Sequence, residues 1–143
     1  MRLSSLLVVL VLALLSDMRP GLAQSTSLEG PLPRLTRLEL AVRVDYDSER
    51  VAGTATLTLK NTAPTPLARV PLLLNRLMRV EAVRSGGGRT LIHRQRIRSF
   101  EDVGNFQVNA VEVDLSTPLL PEESVRLAVD FEGYLVGYTE VGM

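Results

Sequence analysis

The sequence predicts an all-β protein, an antiparallel β-sandwich. Three observations predict it. Apolar and polar residues alternate with period two in one segment after another. Clusters of Gly, Pro, Asn, Asp and Ser punctuate the chain about every 8–12 residues. After Ala23 no stretch keeps a helical apolar period over three turns.

The elements follow in order. Leu38, Leu40, Val42 and Val44 alternate with Arg37, Glu39, Ala41 and Arg43, the pattern of a half-buried strand. The polar stretch 45–50 is a turn. Val51, Gly53, Ala55, Leu57 and Leu59 then alternate with Thr54, Thr56, Thr58 and Lys60. The two segments make a hairpin with one wet face, and β-branched threonine suits a pleated outer surface. Pro64 and Pro66 make 61–66 a loop. The apolar run 70–74 reads as a strand buried on both faces, favoured over a short helix through 72–79 because Pro71 and the loop precede it. Val80, Ala82 and Val83 form a further strand, ended by Ser85 and the glycines 86–88. Residues 90–98, TLIHRQRIR, are a strand with a basic face, and 99–105 a polar turn. Val111, Val113 and Leu115 alternate with Glu112 and Asp114; Val125, Leu127, Val129 and Phe131 alternate with Arg126, Ala128 and Asp130. With the turn 117–123 between them, these two segments read as the clearest hairpin of the chain.

The N-terminus carries a targeting pattern. Arg2 precedes an apolar run over 3–15, which Asp17, Arg19 and Pro20 break. The run is shorter than the roughly 20 residues of a spanning helix and has the size of a signal-peptide apolar region. Small residues at Gly21 and Ala23 place cleavage after Ala23, with an uncleaved anchor as the alternative. The expected organisation is a signal peptide over 1–23, a flexible lead-in over 24–34, and a β-sandwich domain over 35–143, truncated at its C-terminal end. The expected destination is the periplasm or the cell exterior.

Composition excludes several functions. The 16 basic and 16 acidic residues balance, which gives no support for nucleic acid or an anionic membrane as partner. With no Cys there is no disulfide, thiolate metal site or Cys nucleophile. The single His, His93, stands among Arg94, Arg96 and Arg98, reads as a surface strand residue, and cannot by itself supply a zinc site of the usual kinds. No G-x-S-x-G elbow accompanies it, so Ser85 before its glycines is an ordinary loop residue. The same stretch has no phosphate-loop Lys. Glu101-Asp102 and Glu122-Glu123 are adjacent carboxylates in turns, pointing apart into water. Asp45, Asp47 and Glu49 alternate as calcium ligands do, but Arg50 stands where the turn glycine belongs. Arg94, Arg96 and Arg98 share a strand face and are expected to pair with acidic residues of a neighbouring strand. No catalytic, cofactor-binding or metal residue is assigned, and no cofactor is expected in this chain.

At this point the order of features resembles a known family. LELAVRVDYDSERVAGTATLTLKNTAPTPL resembles the opening hairpin of the N-terminal domain of M1-family, aminopeptidase N-like zinc metallopeptidases. The shared features are an acidic turn over 45–49, a V-x-G at Val51-Ala52-Gly53, and a strand closing at Lys60-Asn61. VPLLLNRLMRVEAVR and AVEVDLSTPLLPEESVRLAVDFEGYL are similar to later blocks of that domain, and GYTEVGM to the glycine-rich continuation. The resemblance covers about residues 35–143. It implies a saddle-like β-sandwich packed on a catalytic domain that carries the zinc motif H-E-x-x-H. That motif is absent here, since Arg94 follows His93. The resemblance therefore implies a non-catalytic scaffold fragment of a peptidase, with zinc and peptides handled by the missing domain. A stand-alone secreted binding or adhesion module is the alternative. A severed domain exposes an apolar patch, expected around 72–74 and 134–141.

Overall fold

A computed structural model describes residues 31–100 and 106–134, and in them the alternating segments form eight strands and no helix. The strands are β1 (Arg34–Asp45), β2 (Arg50–Lys60), β3 (Leu67–Asn75), β4 (Met78–Ser85), β5 (Thr90–Leu91), β6 (His93–Phe100), β7 (Phe106–Leu119) and β8 (Ser124–Tyr134). They make two antiparallel sheets. The larger has the order β1-β2-β8-β4-β5 and the smaller β3-β7-β6. Residues 1–30, which hold the expected signal peptide, and 135–143 lie outside the described residues.

The core lies between the sheets. Leu57, Leu127, Val129 and Phe131 of the larger sheet meet Val70, Leu72, Val111 and Val113 of the smaller, all nearly inaccessible. Period-two alternation puts each set on one face. Burying a leucine such as Leu127 fully stabilises by about 1.5–3 kcal/mol.

Two bulges adjust the alternation. In β4, Val80 pairs with Phe131 and Val83 with Val129, and the register slips between Val80 and Ala82. The extra residue turns both Val80 and Val83 inward although they are three apart. In β1 the register slips between Leu35 and Arg37. From Arg37 to Asp45 the pairing with β2 is then unbroken.

The β1–β2 hairpin matches the expectation from sequence. Other expectations need correction. β7 and β8 do not pair: β7 joins β3 and β6, while β8 lies between β2 and β4. Both strands bury one face in the same core, and alternation cannot distinguish a strand beside its neighbour from one facing it across the sandwich. The basic segment 90–98 is likewise two strands. β5 pairs with β4, β6 pairs with β7, and the chain changes sheet at Ile92, whose carbonyl accepts the Asp114 amide at 2.9 Å. The run 70–74 is not buried on both faces. Val70, Leu72 and Leu74 point inward, whereas Pro71 and Leu73 are half-buried on the outer side. Pro71 is tolerated because β3 is an edge strand. β7 runs past Thr117 and Pro118, which fall where the β3–β7 register slips and no ladder bond is asked of the proline.

Two glycines are required by close approach. A Cβ on Gly53 would lie 2.3 Å from the Ala41 carbonyl oxygen and 3.0 Å from the Phe131 ring. A Cβ on Gly133 would lie 2.4 Å from the Leu77 carbonyl oxygen.

Candidate functional site

Four arrangements bring polar side chains together. The first ties the end of β2 to the β7–β8 turn. Asn61, fully buried, donates from Nδ2 to the carbonyls of Thr65 and Leu119, both at 2.9 Å, and accepts from the Ala63 amide at 2.9 Å. Its backbone exchanges hydrogen bonds with Glu122 and Glu123. Lys60 beside it meets Glu122 at 2.6 Å. Every polar atom of Asn61 is used, so this is a structural clip.

The second stitches the sheets together. β5 pairs only with Val83 and Arg84 of β4, which leaves the backbone at Val80 without a strand neighbour on the side away from β8. Gln95 takes that place. Its Oε1 accepts the Val80 amide at 3.0 Å and its Nε2 donates to the Val80 carbonyl at 2.9 Å. Asn109 donates to the Met78 carbonyl at 2.8 Å and to Gln95 at 2.9 Å. Sequence reading missed both residues. A signal was there for Asn109, an amide on the same parity as Val111 and Val113; the β6 face of Gln95 also carries His93 and Ser99 and gave none.

The third is the outer face of the smaller sheet. Arg94 reaches Asp114 at 3.0 Å and Arg96 reaches Glu112 at 3.5 Å, as expected from the sequence. Arg69 of β3 joins Asp114 from the other side at 2.8 Å. These exposed pairs contribute about 0–1 kcal/mol each, and they neutralise the basic face. Arg98 lies opposite Val108. His93 does not share this face; it is half-buried opposite Val113 on the inward side, which corrects its reading as a surface residue.

The fourth lies on the outer face of the larger sheet. Asp130 accepts from the Thr54 hydroxyl at 2.7 Å and from Arg84 Nη2 at 2.8 Å. Burial raises the Asp130 pKa, but these hydrogen bonds and the Arg84 charge outweigh it and hold the carboxyl below its ordinary value. Nearby, Arg50 stacks on Tyr134 at 5.3 Å, and with Arg43, Asp45 and Glu132 it borders an open depression of about 820 Å³.

The remaining candidates have structural partners. Asp45 Oδ1 accepts the amides of Asp47 at 3.1 Å and Ser48 at 3.3 Å. Hydrogen bonds from the Ser48 side chain and backbone lower its pKa. The carboxylate thus closes the β1–β2 turn, where Glu49 has a φ of 54°. Glu123 accepts the Leu120 amide at 3.0 Å. Ser85 accepts the Gly88 amide at 2.8 Å and closes the β4–β5 turn. Glu101 and Asp102 lie outside the described residues. Among the described residues no group of three His, Asp or Glu side chains comes together. The described residues bring together no donor set that fits zinc.

The apolar surface differs from expectation. Leu72 and Leu74 are buried, Tyr134 is exposed as expected, and 135–141 lie outside the described residues. The exposed row is instead Leu38, Leu40 and Val42 of β1, at 39–41%. These side chains share the core face with Leu57, Ala55 and Gly53, but the smaller sheet does not reach over them.

No family model and no curated protein matches the sequence. Solved structures do. The fold is similar to an M1 zinc metallopeptidase from Deinococcus radiodurans, with a TM-score of 0.54 and 25% identity over 71% of this chain and 20% of that one. A mutant of that enzyme bound to a Tyr-Ser-Ala substrate matches with a TM-score of 0.53 and 26% identity over 71% of this chain and 20% of that one. A mutant of a two-domain M1 zinc metallopeptidase bound to L-tryptophan matches with a TM-score of 0.54 and 25% identity, over 78% of this chain and 22% of that one. The chain thus spans about a fifth of the length of the structures it matches. In fold and in residue identity it resembles one part of the M1 zinc metallopeptidases, consistent with their N-terminal β-domain.

Proposed function

We propose that this chain is the non-catalytic N-terminal scaffold of an exported M1 aminopeptidase-like zinc metallopeptidase, whose complete form removes N-terminal residues from peptides. One observation carries the reading: most of this chain matches only a fifth of a metallopeptidase that is itself several times longer. The internal chemistry agrees. The polar clusters around Asn61, Gln95 and Asp114 are engaged in a turn clip, a clip between the sheets and ion pairs, as suits a domain that positions a neighbour. The apolar run over 3–15 supports export. In this reading zinc and peptide belong to the catalytic domain.

The test is the mass and activity of the native protein. An antibody against 24–143 should capture a species several times larger than the roughly 16 kDa of this chain, carrying zinc and releasing N-terminal residues from peptides. A captured species of this chain's own size, with no aminopeptidase activity, would overturn the reading and favour a free binding module.

A further inference from the structure

We propose that β1 is a self-association edge: two copies pair β1 against β1 antiparallel about a two-fold axis through Ala41, joining their larger sheets into one. Among the described residues β1 pairs only with β2, so the other side of a 12-residue strand is open. Such edges are ordinarily blunted by proline, inward charge or a cover. Here Arg37 to Asp45 is unbroken, has no proline, and lines up exposed Leu38, Leu40 and Val42.

The charges select both the partner and the register. A two-fold through Ala41 sets residue i opposite residue 82 − i. Arg37 then faces the partner's Asp45, and Glu39 faces the partner's Arg43. On the other face Leu38 meets the partner's Val44, and Leu40 meets the partner's Val42. Every pair is complementary, and the whole straight segment is used. Neighbouring registers fail. An axis through Leu40 opposes Arg37 to the partner's Arg43, and one through Glu39 opposes that carboxylate to itself. An axis through Val42 opposes Glu39 to the partner's Asp45, and one through Leu38 draws the bulge at Leu35 into the pairing. A register step of one would place side chains on the wrong face. The same patch meets itself, as a two-fold interface requires.

These 143 residues hold no Cys, so a single cysteine placed in β1 reports on the register there, with the unsubstituted protein as the control for any cysteine elsewhere. Across the axis the two Ala41 Cα atoms stand about 4.5–5.5 Å apart, within disulfide reach. The two Glu39 Cα atoms are separated by four strand steps, about 13 Å. At the protein's natural length, Ala41→Cys is expected to form a disulfide-linked dimer on mild oxidation, and Glu39→Cys is not. Sedimentation velocity should show a dimer that grows with concentration and weakens with salt. Arg43→Glu should weaken it by about tenfold, and Glu39→Arg with Arg43→Glu should restore it. Melting curves confirm that each variant is folded. A protein that stays monomeric, equal cross-linking at both positions, or a charge swap that fails to restore association would overturn the proposal.

Discussion

Asn61 is the residue whose loss should be felt most for its size. Its side chain makes three hydrogen bonds of 2.9 Å, to Thr65, Leu119 and Ala63. Asn61→Ala removes all three and leaves three backbone groups without a partner. The bond to Leu119 is buried, and the other two are partly buried. A buried group left unsatisfied costs about 1–3 kcal/mol, and one that water can reach costs less. The expected loss is about 3–4 kcal/mol, a large part of a typical domain stability of about 5–15 kcal/mol. Asn61→Asp has nearly the same shape but places an acceptor against two carbonyls. Its folded-state pKa must rise, because only the protonated form can donate. The folded state then holds the extra proton, and stability falls as pH rises through the carboxylate range. Urea unfolding followed by far-ultraviolet circular dichroism measures both variants. At neutral pH Asn61→Asp should be the less stable, and near about pH 4 it should approach or exceed Asn61→Ala. A cost below about 0.5 kcal/mol for Asn61→Ala, or variants that track each other across pH, would refute the clip.

Two further outcomes follow from the geometry. Gly53→Ala drives a methyl into the Ala41 carbonyl oxygen at 2.3 Å and should destabilise by about 1–3 kcal/mol, read as a lower urea midpoint; an unchanged midpoint would mean that β1 yields freely. For Asp130, whose pKa is lowered in the fold, the stabilisation is present above the ordinary carboxylate value and is lost as pH falls through the folded value. The stability difference between the parent and Asp130→Asn should therefore shrink below about pH 4; a difference constant with pH would contradict the Thr54–Arg84 arrangement.

The fold was legible where local pattern decides it. The period in 37–44 and 51–60 and the acidic turn between them specify a hairpin without reference to the rest of the chain. Sheet membership was not legible, because it depends on which distant strand completes the ladder. That is why 111–115 and 125–131 read as partners although they belong to opposite layers. The break at Ile92 was hidden for the same reason, since one polar-apolar run can serve two sheets if the backbone twists between them. The ion pairs of Arg94 and Arg96 could be foreseen from charge alone, whereas the register that brings Arg69 to Asp114 could not. The motif Val51-Ala52-Gly53 and the pair Lys60-Asn61, which the sequence offers only as a likeness, have plain physical reasons. Gly53 has no room for a Cβ, and Asn61 holds three segments at once.

The place of β8 sets the order in which the chain can finish. It is the last of the described strands, and it occupies the middle of the larger sheet, bonded to β2 on one side and β4 on the other. During synthesis from the N-terminus, the residues of the β1–β2 hairpin and of the β4–β5 pair are made before residues 124–134 exist. Until then each carries an uncapped ladder edge with Leu57 or Val83 beside it and nothing to close the gap. The sheet thus assembles by late insertion of a strand between two waiting halves, a non-local step that folds slowly and leaves the nascent chain open to wrong pairing. Until the ribosome has made Tyr134, those two edges are where the nascent chain is most open to wrong pairing.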